Sequence, residues 1–214
     1  MAKIDDYQPS QVEVDKVLYC KKIVNFSGVK WKQKPSRSDM WLQAHIIPLD
    51  EDCIPIQGLK FELKWKPDQD SEPDDPISYP KINIIAFYHN KRVFAVDTYH
   101  FDKHTNSYKV DHPKYQDIIY GAHYHVYYEE AGYYSDRIAF PIEDDINPDD
   151  LVGYWNYFCK HLNITYSGRI PLPLEDESGK WGLEYDVLNS DLTTRFRMPS
   201  NRQDLENYQS IHLL

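Results

Sequence analysis

Strict alternation of apolar and charged side chains over residues 59–66, LKFELKWK, is the feature that most limits the fold of this chain. Successive side chains of an extended strand point to opposite faces, so the four apolar residues share one face and the four charged residues share the other. A helix would distribute the same residues around its whole circumference. The pattern therefore predicts a strand with one face in a core and one in solvent, as in antiparallel sheets.

Further strands are predicted by β-branched and aromatic content, in residues 40–47, 81–88, 92–97, 119–130 and 136–142. His89, Asn90 and Lys91 separate two of them and suit a tight hairpin, because Asn accepts the left-handed conformation. These segments predict an α+β fold built on an antiparallel sheet of five to seven strands.

The main helix is predicted over about residues 148–162. Asn147 is a good N-cap, Pro148 suits the first helical position, and the acidic residues that follow favour the positive end of the helix dipole. Apolar residues recur at helical spacing, so one side of this helix is expected to pack on one face of the sheet. A short C-terminal helix is expected in residues 200–214, which open with the capping-box pattern of Ser200 and Gln203.

The length of 214 residues suits one domain. We expect a flexible N-terminus at 1–12, a single α+β domain at 13–199, and a helix or tail at 200–214. Within the domain, residues 67–78, PDQDSEPDDPIS, contain three prolines and five acids. That composition disfavours helix and inner strand, so this segment is predicted to be a solvated loop.

The net charge of −10 argues against a general nucleic-acid binder with a basic face. The charge is uneven, because residues 11–66 carry ten lysines and arginines against seven acids, and the rest of the chain is strongly acidic. RNA would contact the basic segment, whereas the acidic remainder suits a basic protein partner.

No stretch approaches the roughly 20 apolar residues needed to cross a bilayer, and the N-terminus lacks the apolar run of a secretion signal. A cytoplasmic protein with no membrane contact is expected. Three widely spaced cysteines make a disulfide framework or a cysteine-built zinc site improbable.

Histidines provide the main functional signal, because five of the nine fall between residues 100 and 125. In a strand, His123, His125, Tyr127 and Glu129 project to one face. A loop following the strand that ends at Asp97 carries two further candidates, His104 and Asn106, and loops held by rigid strands often form sites.

Three interpretations of this cluster remain open. His123 and His125 can ligate a divalent metal together with Asp97 or Glu129. Alternatively, the two histidines act without a cofactor as acid and base in RNA cleavage, since their pKa lies near neutral pH. In that scheme His104 and Asn106 orient phosphate, Tyr127 assists, and Asp97 fixes a tautomer. Finally, the histidines and tyrosines can form a structural hydrogen-bonded network.

Three quoted segments carry a resemblance to known proteins: VDTYHFDKHTN at 96–106, GAHYHVYYEEAGYYSDRIAFPI at 121–142, and WNYFCKHLNI at 155–164. Together they resemble an uncharacterised bacterial and phage family with a His-Thr-Asn loop and a His-x-His strand. More distantly, the chain is similar to TumE-type toxins of toxin–antitoxin pairs, with Asp97, His104, His123 and His125 at the matching positions.

The resemblance implies a ribonuclease-like toxin and a possible antitoxin partner. A metal-independent endoribonuclease is therefore the predicted activity. The alternative is a non-enzymatic acidic phage or mobile-element protein that binds and inhibits a host defence or nucleic-acid-binding protein.

Overall fold

The computed structural model describes residues 7–33, 41–67, 79–132 and 135–174, and these form an α+β structure. Residues 1–173 make up one compact unit, to which every helix and strand below belongs. The second unit, residues 174–214, lies outside the described residues apart from Leu174, and so does the predicted C-terminal helix. Most of the predicted acidic loop, residues 68–78, is also outside them.

Seven antiparallel strands form the main sheet: β2 Lys32–Gln33, β3 Leu42–Ile46, β4 Leu59–Lys66, β5 Lys81–Tyr88, β6 Lys91–Asp97, β9 His123–Val126 and β10 Ala139–Pro141. Their order across the sheet is β10-β9-β6-β5-β4-β3-β2. The prediction of an antiparallel sheet of five to seven strands is confirmed.

Two small sheets complete the strands of the described region. Strand β1, Lys22–Asn25, pairs in parallel with β11, Ile164–Ser167. Strand β7, Lys103–Thr105, pairs antiparallel with β8, Ile118–Tyr120, and brings the loop after β6 back to the sheet.

One face of the main sheet is apolar and forms the core with helix α2, Leu151–His161. Phe61 on β4 meets Phe158 edge to face, with ring centroids 5.2 Å apart, and Trp155 is fully buried beside them. The predicted inward face of β4 is confirmed. Two predicted outward residues, Glu62 and Lys66, are nevertheless buried, at 9% and 8% exposure, so the second face is not simply open to solvent.

Helix α2 starts one turn later than predicted. Its N-cap is Asp150, whose side chain accepts a hydrogen bond from the Gly153 amide at 2.8 Å. Asn147 instead accepts the Asp150 amide through its carbonyl and begins a turn. Asn and Asp are both favoured at the N-cap position, and in this helix Asp150 occupies it.

Helix α1, Gln11–Tyr19, lies partly within the segment predicted to be flexible. A capping box starts it, because Ser10 and Glu13 satisfy each other's backbone amides. Its first residue also contacts the distant Glu129, which accepts the Gln11 amide at 2.7 Å. The ordered chain therefore begins before residue 13. No helix among the described residues is both long and apolar enough to cross a membrane.

The predicted strand at 119–130 is two strands of different sheets. Strand β8 ends at Tyr120 and β9 begins at His123, and between them Gly121 has φ of 82°. Glycine adopts this conformation without strain, and a Cβ here would lie 3.4 Å from the His100 carbonyl oxygen. The break at Gly121 was not predicted, because the apolar and polar alternation runs straight through it.

Candidate metal centre

The polar end of β9 carries the histidine cluster. His123 and His125 lie on one face of the strand, opposite Asp97 and Ala95 of the neighbouring β6. On the other face of β9, Tyr124 packs against Phe94 in the core. Because alternate residues of a strand share a face, the pairing places Asp97 and both histidines on the same side of the sheet.

The third histidine, His104, comes from the β7–β8 hairpin and packs over this pair. Its ring centroid is 5.1 Å from that of His123 and 4.8 Å from that of His125, and the centroids of His123 and His125 are 4.9 Å apart. One nitrogen from each ring lies within 4.8 Å of the others. The three imidazoles therefore converge on a common point.

Asp97 organises the cluster through both of its carboxylate oxygens. Oδ2 accepts a hydrogen bond from Nε2 of His125 at 2.9 Å and one from Nη2 of Arg92 at 3.1 Å. The same oxygen lies 3.9 Å from Nε2 of His123. Oδ1 accepts a hydrogen bond from the side chain of Asn83.

These contacts assign the ring nitrogens. His123 Nδ1 lies 2.8 Å from the Gly121 carbonyl oxygen, so Nδ1 carries a proton, and in the neutral ring Nε2 keeps a lone pair. In neutral His125, Nε2 donates to Asp97, so Nδ1 keeps the lone pair. Three nitrogens of the site are buried with no hydrogen-bond partner among the described residues, namely Nδ1 of His125, Nε2 of His104 and Nε of Arg92.

Burial, hydrogen bonds and neighbouring charges together determine the charge of the cluster. Burial opposes ionisation of Asp97, but the hydrogen bond from His125 and the Arg92 charge outweigh it and hold the pKa of this carboxyl well below its usual range. Burial lowers the pKa of His125 to about 4, although Asp97 acts in the opposite direction. Burial and the neighbouring His123 also lower the pKa of His104. At neutral pH the site therefore holds one carboxylate beside neutral rings of His104 and His125.

Of the residues predicted for the site, the structure brings Asp97, His104, His123 and His125 together. It places Tyr127 and Glu129 elsewhere, whereas Asn106 lies beside His104 and raises the pKa of that ring through a side-chain hydrogen bond, against the larger effect of burial. The Asn106 side chain bonds the backbone of Gln116 and Ala139, the Tyr127 hydroxyl donates to the Pro9 carbonyl at 2.6 Å, and Glu129 contacts Gln11.

Two residues of the site were not predicted. Arg92 lies five residues before Asp97, a spacing that would put the two residues on opposite faces of a regular strand. The pairing of β5 and β6 is irregular, so this rule does not hold here. Asn83 lies directly opposite Asp97 in the β5–β6 ladder. The turn at His89 and Asn90 would by itself put Asn83 opposite Val96, and the register shift between Ala86 and Phe87 moves its partner to Asp97.

Comparison of the chain with protein-family models, with curated proteins and with solved structures found no match. The resemblance to the bacterial and phage family and to TumE-type toxins therefore stays a prediction.

Proposed function

We propose that His104, His123 and His125 bind one divalent transition-metal ion, best fitted by Zn²⁺, and that the bound metal activates water for hydrolysis of a phosphate ester. The observation that carries this proposal is the convergence of three imidazole rings, each with one nitrogen within 4.8 Å of the others.

The lone pairs support metal binding, because each histidine has one nitrogen available. Nε2 of His123 and Nδ1 of His125 remain after their partner nitrogens bond Gly121 and Asp97, and Nε2 of His104 has no partner among the described residues. A buried polar atom without a partner costs about 1–3 kcal/mol. A metal ion that reached all three nitrogens would remove this cost.

The outer contacts match those of known metal sites. Metal-binding histidines donate their second ring N–H to a carboxylate or a backbone carbonyl, which fixes the tautomer and the ring orientation. His125 uses the Asp97 carboxylate and His123 uses the Gly121 carbonyl. Asp97 is thus assigned to orient a ligand instead of binding the metal directly.

Coordination requires a small contraction of the site. Tetrahedral Zn²⁺ with Zn–N bonds of about 2.0–2.1 Å places ligand nitrogens roughly 3.3 Å apart. The largest separation here is 4.8 Å, so each ring would move by less than the width of an atom. Side-chain rotation of the half-buried His104 accommodates most of this change.

The ligand set supports catalysis over a purely structural role. Structural zinc sites use four protein ligands, whereas catalytic sites use three and leave a position for water. Zinc lowers the pKa of bound water to about 7, which supplies hydroxide at neutral pH. His104, His123 and His125 would hold the ion, which would supply the nucleophile for phosphorus; the bond from phosphorus to the ester oxygen would break, and the leaving oxygen would take its proton from solvent water.

Charge favours an anionic substrate at the open position. With neutral ligands, a dication, the Arg92 guanidinium and the Asp97 carboxylate sum to +2 around a mostly buried point. The Asp97 and Arg92 side chains are 16% and 27% exposed, against 4% and 3% for His123 and His125, so this edge is more accessible than those two rings. Arginine binds phosphate well, and an RNA phosphodiester is the member of this class that the resemblance implies.

A second candidate is the metal-free scheme, which the hydrogen bond between Asp97 and His125 favours. A carboxylate that holds a histidine tautomer is the arrangement used in general acid–base catalysis. RNA cleavage would then use His125 and His123 as the proton-transferring pair.

Metal binding is tested by removing metal from the purified protein with a chelator and titrating it with Zn²⁺ in a calorimeter. We expect one site per chain, and about 100-fold or greater weakening in His104→Ala and in His123→Ala, since even outer-contact changes cost 10–100-fold. His100→Ala, an exposed histidine four residues before His104, should bind as the unaltered protein does. No binding, or full binding by His104→Ala, would disprove the metal centre.

Hydrolysis is tested separately with single-stranded RNA. We expect cleavage by the zinc-loaded protein, none after metal removal, and recovery on adding Zn²⁺. Full cleavage in the presence of chelator would instead support the metal-free scheme. Tight zinc binding without cleavage of any phosphodiester would reject the proposed substrate but leave the metal centre in place.

A further inference from the structure

The opposite face of β9 borders a cleft of about 610 Å³ that the metal centre does not use. Helix α1, the C-terminal end of α2 and the segment after β9 enclose it. Its floor consists of aromatic rings from three neighbouring strands, and Tyr124 lies in the middle, 5.9 Å from Phe94 and 5.5 Å from Phe140 by ring centroids.

The rim of this cleft is acidic. Asp15 from α1 and Glu129 and Glu130 from the turn after β9 line it, and neither lysine nor arginine is among the lining residues that the structure describes. None of the three carboxylates pairs with a lysine or arginine within the described residues; their partners are Gln11 and Tyr108. Each therefore retains a carboxylate oxygen able to accept a further bond.

The floor adds no positive charge through His161. Its ring stacks near Phe94, with centroids 5.8 Å apart, and burial together with the adjacent Lys160 lowers its pKa, so the ring is neutral at neutral pH. Aromatic faces attract cations through their quadrupole, by about 0.5–1 kcal/mol at exposed sites and more when water is excluded. The charge of Lys114 also acts on Tyr124, but this lysine pairs with Glu143 at 2.6 Å. Rings below and carboxylates above therefore form an environment suited to a cation.

From this arrangement we propose that the cleft binds a basic peptide segment of a partner protein, with one arginine side chain inserted over the Tyr124 floor and a neighbouring basic residue paired with the rim carboxylates. A peptide suits the cleft better than a single small amine, because floor and rim offer separate positions for two cations joined by a chain. Arginine suits the floor, since its planar guanidinium stacks on aromatic rings.

This proposal is independent of the metal centre, because Tyr124 and the histidines point to opposite faces of β9. Occupation of the cleft requires no change in His123 or His125. The two proposals can therefore fail separately.

Binding is tested by calorimetry with a synthetic peptide, acetyl-Gly-Arg-Gly-Arg-Gly-amide, at about 0.15 M salt to screen long-range attraction. The same peptide with citrulline in place of arginine keeps the shape and removes the charge. We expect the arginine peptide to bind and the citrulline peptide to bind at least tenfold more weakly. Equal binding of the two peptides, or no binding of either, would overturn the proposal.

Paired variants locate the binding. Asp15→Asn with Glu130→Gln removes two rim charges and should weaken arginine-peptide binding at least tenfold. Glu51→Gln with Asp52→Asn removes two exposed charges from the turn before Cys53 and should leave binding unchanged. Equal weakening by both pairs would show only general charge attraction and would reject the cleft. Binding of free arginine amide as tight as that of the peptide would reject the peptide as occupant.

Discussion

Asp97 is the residue on which the order of the histidine cluster depends. Its carboxylate bonds His125, Arg92 and Asn83, so it joins the ring of one proposed ligand to two strands of the sheet. An acid held in this way keeps His125 in the tautomer that leaves Nδ1 free for a metal.

Asp97→Asn is expected to weaken Zn²⁺ affinity by about 10–100-fold, because the amide holds the tautomer of His125 less firmly and adds no negative charge. Calorimetric titration of the metal-free protein measures this change. Asp111 is an exposed acid in the loop between β7 and β8. Asp111→Asn provides the matched control and should bind Zn²⁺ with unchanged affinity. An Asp97→Asn protein with unaltered affinity would remove Asp97 from the metal site.

At the residue scale, part of the site was predictable. Strand alternation puts His123 and His125 on one face, and Asp97, which was predicted to fix a histidine tautomer, accepts a hydrogen bond from His125. The sequence does not reveal which nitrogen of each ring is free, because this depends on partners such as the Gly121 carbonyl.

At the scale of elements, the β7–β8 hairpin supplies the third histidine. Asn106 anchors it, because its side chain donates to the carbonyls of Gln116 and Ala139 and accepts the Ala139 amide at 2.6 Å. This residue was predicted to orient phosphate, but its side chain is 8% exposed and bound to the backbone. We infer that Asn106 positions His104 by holding the hairpin against β10.

Asn106→Ala is expected to lower the free energy of unfolding by roughly 2–4 kcal/mol, because it leaves buried backbone groups without partners. Zinc affinity should fall as well, since His104 loses its support. Urea unfolding and calorimetry measure the two effects. Ser107→Ala, at the adjacent exposed position, should change neither. If Asn106→Ala keeps both values, the hairpin is held by other contacts.

Element boundaries were predicted well where local signals agree and poorly where they compete. The hairpin of β5 and β6 has His89 and Asn90 at φ of 45° and 63°, as its turn residues indicated. The 119–130 segment was assigned one strand, because its alternation is continuous, yet Gly121 divides it. Long-range pairing of β8 with β7 and of β9 with β6 decides that division.

At the scale of the whole molecule, Lys22 joins the two helices. Its ammonium is buried, and it donates to the carbonyls of Leu18 and Cys20 at the end of α1 and of Leu162 at the end of α2. All three ammonium hydrogens are therefore used at the negative ends of two helix dipoles. Burial lowers the pKa of Lys22 to about 8.

This pKa predicts a pH dependence of stability. Above about pH 8 folded Lys22 loses its proton, whereas the unfolded chain keeps that proton up to its ordinary pKa of 10.5. Between these two pH values the unfolded state binds more protons than the folded state. The free energy of unfolding therefore rises with pH. From about pH 8 to pH 10.5, the free energy of unfolding of the unaltered protein should increase by about 3 kcal/mol more than that of Lys22→Met.

Urea unfolding at a series of pH values measures this difference. Lys21→Met is the matched control, because the neighbouring lysine is exposed and pairs with Glu51 on the surface at 2.9 Å. Its pH profile should follow that of the unaltered protein. Parallel profiles for Lys22→Met and the unaltered protein would contradict the lowered pKa of Lys22.

By itself the sequence determined most strands of the main sheet, their antiparallel arrangement, the helix over the apolar face, and the shared face of His123 and His125. These features follow from periodicity and turn chemistry, which act between near neighbours. Tertiary structure alone decided that His104 and Asp97 reach the pair, and that Lys22 reaches Leu162. Asp97 and His125 are 28 positions apart in the sequence, and Lys22 and Leu162 are 140 positions apart. Packing of distant elements sets such distances, and no local pattern encodes them.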